Sequence, residues 1–429
     1  MNIGIDLTPL QTHHKFRGIG AVIINFINNL SDEDKSTNHF VLFLFERYED
    51  EALNLLNFSG VSHEIRYTRE PKYIMLPGRL RLLSKVFYKL RGLFEYAFGD
   101  PRIKGSQLKG VNRYIQFDQN QKLPRGAKRI AVLFLHDLIP YILESDYLKK
   151  YSTARAGGAS RKSALKSAVK RYQYFYKVKI NTMRARHMIA NSEYTKKDFI
   201  KYTHASAKRV FVAYLGVTVS EDKITSNPGF TDHQTTLWGT VKRPLDLTRK
   251  PFILYIGGTD SRRRMVDLIA AFYNLRARGE EISLVMAGDE MAGIASIKNP
   301  ELQSYLKNNP SYLDDMHQLG FVDETQKRWL YEHSLAFVFP SSYEGFGLPI
   351  IEAMAYGSPV ITYKNTAIEE IAKDKVLYAR DFLGISHEVE RLFSDRKLAN
   401  ELSREGIPYA RKFTWDQTVK DVFKVLHKK

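Results

Sequence analysis

Short apolar runs alternate with helical patterns along this 429-residue chain, and this alternation constrains the fold more strongly than any other feature. In the first half of the chain the apolar runs are residues 2–7, 40–45, 130–135, 188–190 and 210–213. The pattern restarts further on with residues 252–256, 283–287, 336–339 and 359–362. Strands that are apolar throughout and are joined through helices are typical of parallel sheets covered on both faces. We therefore predict an α/β protein with two doubly wound domains.

The segment 221–250 separates the two series of predicted strands. It is polar and rich in turn-forming residues, and it contains Asn227-Pro228-Gly229, which is a strong turn signal. We predict that this segment is a linker between an N-terminal domain of residues 1–220 and a C-terminal domain of residues 251–414. A chain of this length suits two domains of ordinary size, each with its own core.

Composition excludes several classes of protein. The chain has no cysteine, so it has no disulfide, thiolate metal site or cysteine nucleophile, and this fits a reducing cytosol. It begins directly with a predicted strand, so we expect no signal peptide. No run approaches the ~20 apolar residues that a membrane span requires. We therefore expect a cytoplasmic protein that does not cross a membrane.

The formal net charge is +18, which implies an anionic partner such as nucleic acid, an anionic lipid or a phosphorylated substrate. Residues 149–186 carry twelve Lys or Arg and no Asp or Glu, with tyrosines between them. Residues 79–98 place apolar side chains on one helical face and basic side chains on the other. That pattern is typical of a helix lying on a membrane surface, and an ordinary amphipathic core helix shares it. We expect contact with an anionic membrane surface.

The most specific local pattern is a glycine-rich loop between a strand and a helix. The apolar run 335–339 leads into Glu344-Gly345-Phe346-Gly347-Leu348, and Pro349 suits the first position of a following helix. The glycines allow the backbone to approach a bulky ligand. The N–H groups and the positive dipole end of the helix favour an anion. We therefore expect this loop to bind an anionic ligand.

Two carboxylates, Glu344 and Glu352, lie eight residues apart in this pattern, the first in the loop and the second in the predicted first turn of the helix. A carboxylate accepts hydrogen bonds through two oxygens, so each suits a pair of neighbouring sugar hydroxyls. An anion site combined with two sugar sites predicts a nucleotide sugar as the ligand.

The Glu344-x7-Glu352 element, followed by residues 357–361, resembles the signature of retaining GT-B glycosyltransferases of family GT4. Further matches occur in the family's order at residues 136–140, 189–195, 255–260 and 413–415. The resemblance implies two Rossmann-like domains that face each other across a cleft. It also implies that a C-terminal helix, residues 415–429, packs back on the first domain.

The resemblance implies three catalytic residues, Glu344, His136 and Arg263, with His136 acting as a hydrogen-bonding group beside the transferred sugar. Glu344 would contact the sugar hydroxyls and Glu352 the ribose. It also implies a donor-binding set of Glu352, Gly345, Phe346, Gly347, Leu348, Arg262, Gly258, Gly18, Gly20, Phe321 and Val322.

Two of these positions leave alternatives open. Arg263 occupies the position where the family usually has Lys, but Gly258 stands where a second basic residue is common, so either Arg262 or Arg264 could substitute. Gly18 and Gly20 could line the donor phosphate or could simply begin a helix that runs to residue 30. Ile23 stands where a dinucleotide fingerprint would have its third glycine, which argues against NAD.

We predict no metal and no cofactor. Asp32-Glu33-Asp34 matches a literal Asp-x-Asp pattern, but it follows a helix in a polar stretch, and a solvated loop explains it. No other group of residues has metal-ligand spacing.

The predicted function is retaining transfer of a hexosyl-type sugar from a nucleotide sugar to a glycan or lipid-linked acceptor, in bacterial surface polysaccharide synthesis. The departing phosphate oxygen would help to take the acceptor proton. The location would be cytoplasmic and peripheral, on the inner face of the cell membrane. The alternatives are a nucleotide-sugar 2-epimerase of the same fold, a basic nucleic-acid-binding protein and a catalytically inactive sugar-binding subunit.

Overall fold

The computed structural model describes residues 1–429 except 17, 71–101, 145, 221–225, 237–238, 294–295 and 429. The predicted amphipathic helix at residues 79–98 therefore lies outside the described residues. The chain divides into two compact units. The first comprises residues 1–216 together with 415–429, and the second comprises residues 217–414.

In the described residues, the first unit is built on a parallel sheet of seven strands in the order β3-β2-β1-β4-β5-β6-β7. The strands are β1 Asn2–Asp6, β2 His39–Leu44, β3 His63–Tyr67, β4 Arg113–Gln116, β5 Ala131–Leu135, β6 His187–Ala190 and β7 Val210–Val212. The direction of the strand order reverses between β1 and β4. Such a switch point opens a crevice at the carboxyl ends of the strands.

Helices cover the strands of the first unit. They are α1 Gly18–Asn28, α2 Asp32–Thr37, α3 Glu49–Leu53, α4 Ile139–Ile142, α5 Tyr151–Ala156, α6 Arg161–Arg184 and α7 Glu193–Thr203. Five of the seven strands were predicted. The other two, β3 and β4, were missed because their sequences, HEIRY and RYIQ, mix charged and apolar residues.

The C-terminal helix, Trp415–Leu426, belongs to the first unit, which confirms the return that the resemblance implied. Its Phe423 ring stacks on Phe26 of α1 at 6.1 Å between centroids. Arg113 of β4 donates through Nε to the carbonyl oxygen of Leu426 at 2.8 Å. Apolar stacking and this backbone contact fix the helix on the sheet.

The described part of the second unit contains a parallel sheet of six strands in the order β12-β11-β10-β13-β14-β15, with a switch point between β10 and β13. The strands are β10 Phe252–Ile256, β11 Ser283–Ala287, β12 Met316–Gly320, β13 Ala336–Phe339, β14 Val360–Tyr363 and β15 Leu377–Ala379. The helices of this unit are α8 Met265–Ala277, α9 Pro300–Asn308, α10 Glu324–His333, α11 Leu348–Ala355, α12 Thr366–Ala372, α13 Phe382–Ser394 and α14 Arg396–Ala410. The C-terminal helix of the chain, Trp415–Leu426, is α15. Both sheets confirm the predicted doubly wound architecture.

The predicted linker at 221–250 is wrong for most of its length. Residues Phe230–Thr236 and Gly239–Leu245 form an antiparallel hairpin, β8 and β9, that belongs to the second unit. Asp232 is buried and fixes the hairpin to β12, because its carboxylate accepts from the Gln318 N–H at 2.9 Å. The two strands of the hairpin carry many polar side chains. Polarity alone does not distinguish such a hairpin from a linker.

Among the described residues, no helix has both the length and the apolar character that crossing a bilayer requires.

Candidate functional site

The loop between β13 and α11, residues 340–347, lies at the switch point of the second sheet. Its neighbour there is the loop that follows β10, residues 257–264. The two loops are joined directly, since the Ser342 N–H donates to the Arg262 carbonyl oxygen at 2.8 Å. The loop is also fixed from behind, where the Glu344 N–H donates to Thr366 Oγ1 at 3.1 Å. A crevice at this position is where open α/β sheets bind ligands.

Glu344 forms the centre of a buried charged cluster. Its Oε1 accepts hydrogen bonds from the guanidinium groups of Arg262 and Arg263, and from Ser341 Oγ at 2.7 Å. The side chains of Arg262, Arg263 and Glu344 are only 12%, 13% and 9% exposed. The Arg263 guanidinium also lies over the Phe339 ring, 4.6 Å from its centroid. One carboxylate therefore positions two cations at the switch point.

The cluster carries a net positive charge, because two guanidiniums share one carboxylate. Burial acts to raise the pKa of Glu344, but the two arginines outweigh burial and hold that pKa below its ordinary value. Glu344 is therefore ionised at neutral pH. The excess cation suits a phosphate, whose oxygens match the planar fork of a guanidinium.

Arg262 and Arg264 differ in the groups that they contact. Arg262 joins the Glu344 cluster and also donates to the Tyr343 carbonyl oxygen at 3.1 Å. Arg264 instead pairs with Asp267 on the first turn of α8 at 3.0 Å, and its side chain is half exposed. Arg262 and Arg263 thus form the basic pair.

Helix α11 begins one residue earlier than predicted, at Leu348, with Gly347 as its N-cap. The φ of Gly347 is +96°, in the left-handed region that favours glycine. Phe346 is buried and its ring centroid lies 6.0 Å from that of Phe413, so its side chain packs in the interior. The predicted backbone cradle of Gly345, Phe346, Gly347 and Leu348 therefore consists of the turn that begins α11.

Glu352 lies beyond the first turn of α11, so the prediction that it belongs to that turn is wrong; the helix contains no acidic residue in its first turn. Its carboxylate faces α10 instead. Glu352 Oε2 lies 3.5 Å from Lys327 Nζ and 3.4 Å from the Tyr331 hydroxyl. Burial raises the pKa of Glu352, and the positive charge of Lys327 opposes that rise. Lys327 thus supports the ionised form that could accept hydrogen bonds from a ligand.

The loops after β10 and β11 approach each other closely. A Cβ on Gly288 would lie 2.3 Å from the Gly257 carbonyl oxygen, and Gly288 has φ +137°. Glu290 joins the same two loops, because its Oε2 accepts from the Thr259 N–H at 2.9 Å. Gly258 lies within this junction, and a Cβ there would lie 3.7 Å from Glu290. Position 258 thus carries no basic side chain, and the carboxylates of Asp260 and Glu290 lie beside it.

Phe321 and Val322 follow β12, on the outer edge of the same sheet. The Phe321 ring is 66% exposed, which is unusual for a large aromatic side chain beside a strand end. Both residues line a cavity that the hairpin β8–β9 closes on its other side.

His136 belongs to the first unit, directly after β5 and beside the loop that follows β4. Its Nε2 contacts the Phe117 carbonyl oxygen at 2.7 Å, and its backbone N–H donates to Gln119 at 2.7 Å. A carbonyl oxygen only accepts, so we assign the proton to Nε2 and an acceptor lone pair to Nδ1. Burial lowers the pKa of His136, which favours this neutral form. Asp137 orients the same loop by accepting from the Ile139 N–H at 3.0 Å.

Gly18 and Gly20 lie at the start of α1, which ends at Asn28 rather than at residue 30. A Cβ on Gly20 would lie 2.4 Å from the Lys15 carbonyl oxygen, so close backbone packing requires glycine there. Among the described residues, no atom lies within 4 Å of a Cβ on Gly18. The structure thus gives a packing reason for Gly20 and none for Gly18.

The acidic residues at 32–34 form the first turn of α2 and not a loop, with Ser31 as N-cap. The Asp34 carboxylate completes a capping box at that helix end, which is a structural role. In the part of the chain that the structure describes, no three His, Asp or Glu side chains lie together as a metal site would require.

Sequence reasoning missed Lys327 and Tyr331 on α10, Ser341, and the Thr366 contact behind the loop. A capping-box pattern, Asp323 with Gln326, marks the start of α10 in the sequence. No sequence pattern indicates that α10 faces Glu352, because that contact is set by tertiary packing.

Residues 241–409 match the family described as glycosyl transferases group 1. Among curated relatives, an O-antigen chain mannosyltransferase B of Escherichia coli is 36% identical over 100 residues, which cover 23% of this chain and 26% of the relative. A serotype-specific mannosyltransferase WbdA of Escherichia coli is 25% identical over 295 residues, covering 67% of this chain and 32% of the relative. The chain thus spans about a third or less of the length of these relatives.

A crystal structure of Anabaena Alr3699/HepE in complex with UDP and glucose superposes with a TM-score of 0.58 at 14% identity, covering 99% of each chain. A likeness at this identity establishes the fold. Together with the match to glycosyl transferases group 1, it confirms the resemblance to GT-B glycosyltransferases that the sequence motifs indicated.

Proposed function

We propose that this chain transfers a hexosyl-type sugar from a nucleotide sugar to a hydroxyl group of a glycan or lipid-linked acceptor. The observation that carries the proposal is the Glu344 cluster, in which two buried guanidiniums lie at the switch point of the second sheet. The family match over residues 241–409 and the UDP and glucose bound by a solved neighbour support it.

The arginine pair would act on the leaving group. Breaking the bond between the sugar C1 and the phosphate oxygen leaves a nucleoside diphosphate that carries the bonding electrons. Arg262 and Arg263 are fixed before reaction, so they stabilise this developing charge without a cost in reorganisation. Glu344 keeps both guanidiniums in place, and its second role would be to accept hydrogen bonds from the transferred sugar.

Glu352 would accept hydrogen bonds from the ribose hydroxyls. Its carboxylate must be ionised to act as a double acceptor, and the Lys327 ammonium at 3.5 Å favours that state. The contact with Tyr331 restricts the orientation of the same carboxylate. The donor would then be bound at its phosphate by the arginines and at its ribose by Glu352.

Retention of configuration follows from a front-face route in this proposal. Glu344 Oε1 already accepts from two guanidiniums and a hydroxyl, which makes it a weak nucleophile. The acceptor oxygen would bond to C1 on the face that the phosphate leaves, and the departing phosphate oxygen would take the acceptor proton. His136 would act as a hydrogen-bonding group, as the resemblance implies, with Nδ1 as the acceptor of its neutral form.

The acceptor class is proposed from the relatives and the charge. One Escherichia coli relative is named as a mannosyltransferase of the O-antigen chain. We propose an acceptor of the same kind for this chain. The proposal requires no metal and no cofactor, since the arginine pair supplies the positive charge.

A panel of UDP-, GDP- and dTDP-sugars tests the activity. We expect one donor to be slowly hydrolysed in the absence of acceptor, and Glu352→Ala to abolish that turnover. The matched control is Glu369→Ala, an exposed carboxylate paired with Lys364 at the surface, which should leave turnover unchanged. Equal turnover in the wild type and Glu352→Ala would contradict the proposed site. Interconversion of two UDP-sugars without acceptor would instead identify an epimerase.

Helix α6 supports a peripheral membrane location. Leu165, Val169, Tyr172 and Tyr176 form one exposed stripe, with relative exposures between 41% and 66%. At 100° per residue, Arg161 and Lys162 flank this stripe on opposite sides. Each basic residue near an anionic membrane contributes roughly 1 kcal/mol to binding. We propose that this stripe lies on the cytosolic face of an anionic membrane, where a lipid-linked acceptor would be available.

Flotation with vesicles tests the membrane contact. We expect binding to vesicles that contain anionic lipid, weaker binding at high salt, and loss of binding in Lys162→Glu/Lys166→Glu. The control is Lys397→Glu/Lys420→Glu in the last two helices. Equal flotation of both variants, or wild-type binding to purely zwitterionic vesicles, would overturn this location.

A further inference from the structure

One buried amide side chain on helix α6 bonds to three backbone groups of the loop that follows β4. Asn181 is 1% exposed and lies near the end of α6. Its Nδ2 donates to the carbonyl oxygens of Gln119 and Gln121, at 3.0 and 2.6 Å. Its Oδ1 accepts from the Leu123 N–H at 3.2 Å. Both ends of the amide are therefore bonded to the same loop.

The same loop holds His136 from both sides. Gln119 is 2% exposed, and its Oε1 accepts from the His136 N–H at 2.7 Å. Its Nε2 donates to the Asp137 carbonyl oxygen. The Phe117 carbonyl oxygen contacts His136 Nε2 at 2.7 Å. The loop therefore bonds to the backbone and to the ring of His136.

The conformation of this loop depends on side-chain contacts. Residues 117–123, all of which the structure describes, belong to no helix or strand. Gln116, the last residue of β4, donates through Nε2 to the Gln121 carbonyl oxygen at 2.6 Å. That bond ties the loop to its own strand, whereas Asn181 ties it to α6. Without the Asn181 amide, the loop would lose these three bonds to the helix.

Helix α6 also contacts the segment that follows His136. Arg171 pairs with Glu144 at 2.7 Å, and its guanidinium lies 4.5 Å from the centroid of the Tyr141 ring. The Phe175 ring stacks on the same tyrosine at 4.6 Å between centroids. Helix α6 thus holds both segments that flank His136, namely the loop after β4 and the segment after β5.

The tautomer of His136 depends on the position of the loop. Which ring nitrogen of a histidine carries the proton is set by the hydrogen bonds that the ring makes. The Phe117 carbonyl oxygen holds the proton on Nε2, which leaves Nδ1 as the acceptor. A loop displaced from α6 would move Phe117 and Gln119 together. The ring contact and the backbone contact of His136 would then change at once.

We propose that Asn181 is a positioning residue for His136. By fixing residues 117–123 to α6, it sets the orientation and the tautomer of the imidazole. The proposal rests on the proposed function, in which His136 serves as a hydrogen-bonding group beside the sugar. Asn181 itself does not contact the donor in this proposal and acts through Gln119 and Phe117.

A double-mutant cycle on donor hydrolysis tests this role. We expect Asn181→Ala to lower kcat by roughly tenfold, because a small misplacement of a catalytic group slows the chemical step. The KM for the donor should stay within about twofold, since the proposed phosphate and ribose contacts lie in the second unit. In a His136→Ala protein, Asn181→Ala should have no further effect on kcat, because residues that act as a unit are not additive. The same tenfold loss in both backgrounds would overturn the proposal.

The matched control is Asn38→Ala. Asn38 is also a buried amide of the first unit, 5% exposed, and its Nδ2 donates to the Asp34 carbonyl oxygen at 2.9 Å. It lies at the end of α2, outside the loops that follow β4 and β5. We expect this variant to lower the melting temperature and to leave kcat unchanged. A similar loss of kcat in Asn38→Ala would show that any loss of stability slows the reaction, which contradicts a specific role for Asn181.

The tautomer provides a measurement that does not require activity. Nitrogen–proton NMR correlation spectra of the imidazole rings, assigned with His136→Ala, should show the proton of His136 on Nε2 in the wild type and in Asn38→Ala. In Asn181→Ala we expect a mixture of both tautomers. A folded Asn181→Ala protein with the tautomer of the wild type would overturn the proposal.

Gln119→Met provides a second variant in case Asn181→Ala does not fold, which thermal unfolding will show. It keeps the size of the side chain and removes the next contact in the series, so it should have the same effects on kcat and on the tautomer. A changed tautomer with unchanged kcat would reject the positioning role and leave the donor site, tested by Glu352→Ala, intact. If the wild type hydrolyses no donor, the proposed function fails, and the tautomer alone decides whether Asn181 positions His136.

Discussion

At the scale of single residues, the decisive feature is that one buried carboxylate holds two guanidiniums. Removing one member of such a buried charged group leaves the others uncompensated, which typically costs 3–5 kcal/mol, on the order of a domain's whole margin of stability. Glu344 therefore has a structural role besides its proposed chemical one, and the two roles make different predictions.

We predict that Glu344→Gln lowers the free energy of unfolding by about 3–5 kcal/mol and abolishes donor hydrolysis. The amide leaves Arg262 and Arg263 without a negative partner. Denaturant unfolding measures the loss, and Glu369→Gln at the surface should show no measurable change. A Glu344→Gln protein as stable as the wild type would show that the cluster is not coupled as its contacts indicate.

The same cluster predicts how stability depends on acid. Glu344 has a pKa below its ordinary value of 4.5, so the unfolded chain takes up this proton at a higher pH than the folded chain. The stabilisation is complete above about pH 4.5 and is lost as pH falls through the lower folded pKa. We expect the unfolding free energy of the wild type to fall more steeply below that pH than that of Glu344→Gln. Parallel pH profiles would contradict this.

Lys327 provides a test on Glu352. Its positive charge opposes the rise that burial causes in the pKa of Glu352, so Lys327→Met should raise that pKa further. The proposed ribose contact needs the ionised carboxylate, which accepts through both oxygens, so we expect the acid limb of the donor-binding profile to move to higher pH. Titrations of donor affinity against pH in Lys327→Met and in the control Lys307→Met measure the shift. An unchanged acid limb would remove Lys327 from this role.

At the scale of structural elements, the turn that begins α11 depends on the backbone conformation of one glycine. A Cβ on Gly347 would have room, with its nearest neighbour at 3.6 Å, but φ is +96°. We therefore predict that Gly347→Ala costs about 1–3 kcal/mol through backbone strain alone. Gly406 lies inside α14, and a Cβ there would lie 3.7 Å from the Cβ of Met354, so Gly406→Ala should be neutral or stabilising. Thermal unfolding of both variants tests this prediction. Equal melting temperatures of Gly347→Ala and Gly406→Ala would show that the strain is absent.

The same scale explains what the sequence could and could not reveal. Continuous apolar runs such as Phe252–Ile256 predicted the buried strands, and the glycine-rich frame around Glu344 predicted the site loop. The hairpin at 230–245 was mistaken for a linker because its strands are rich in polar residues such as Thr, His and Lys. They do not show the alternation of apolar and polar residues that is typical of a half-buried strand. The pairing of Glu352 with Lys327 was missed because it joins two helices whose packing no local pattern encodes.

At the scale of the whole molecule, the positive charge has two distinct uses in this account. The arginine pair is buried beside the proposed donor site, whereas Lys162, Lys166 and Lys170 of α6 are exposed. Salt screens exposed charges much more than buried ones. We therefore expect added salt to weaken vesicle binding more than it weakens donor binding. Equal salt sensitivity would contradict this division.

The charge of the arginine pair also predicts independence from metal. Because Arg262 and Arg263 would neutralise the leaving diphosphate, donor turnover should be unchanged by an excess of EDTA and by added Mg²⁺. Activity lost in EDTA and restored by Mg²⁺ would contradict the proposed role of the arginines.

The central claim is that the loop after β13 and the arginines after β10 bind the diphosphate of a nucleotide sugar, with the ribose at Glu352. A crystal structure of the protein with the donor that it hydrolyses tests this most directly. The account predicts diphosphate oxygens within hydrogen-bond distance of Arg262 and Arg263, and ribose hydroxyls within hydrogen-bond distance of the Glu352 carboxylate. A donor bound elsewhere, with the Glu344 cluster unoccupied, would contradict it.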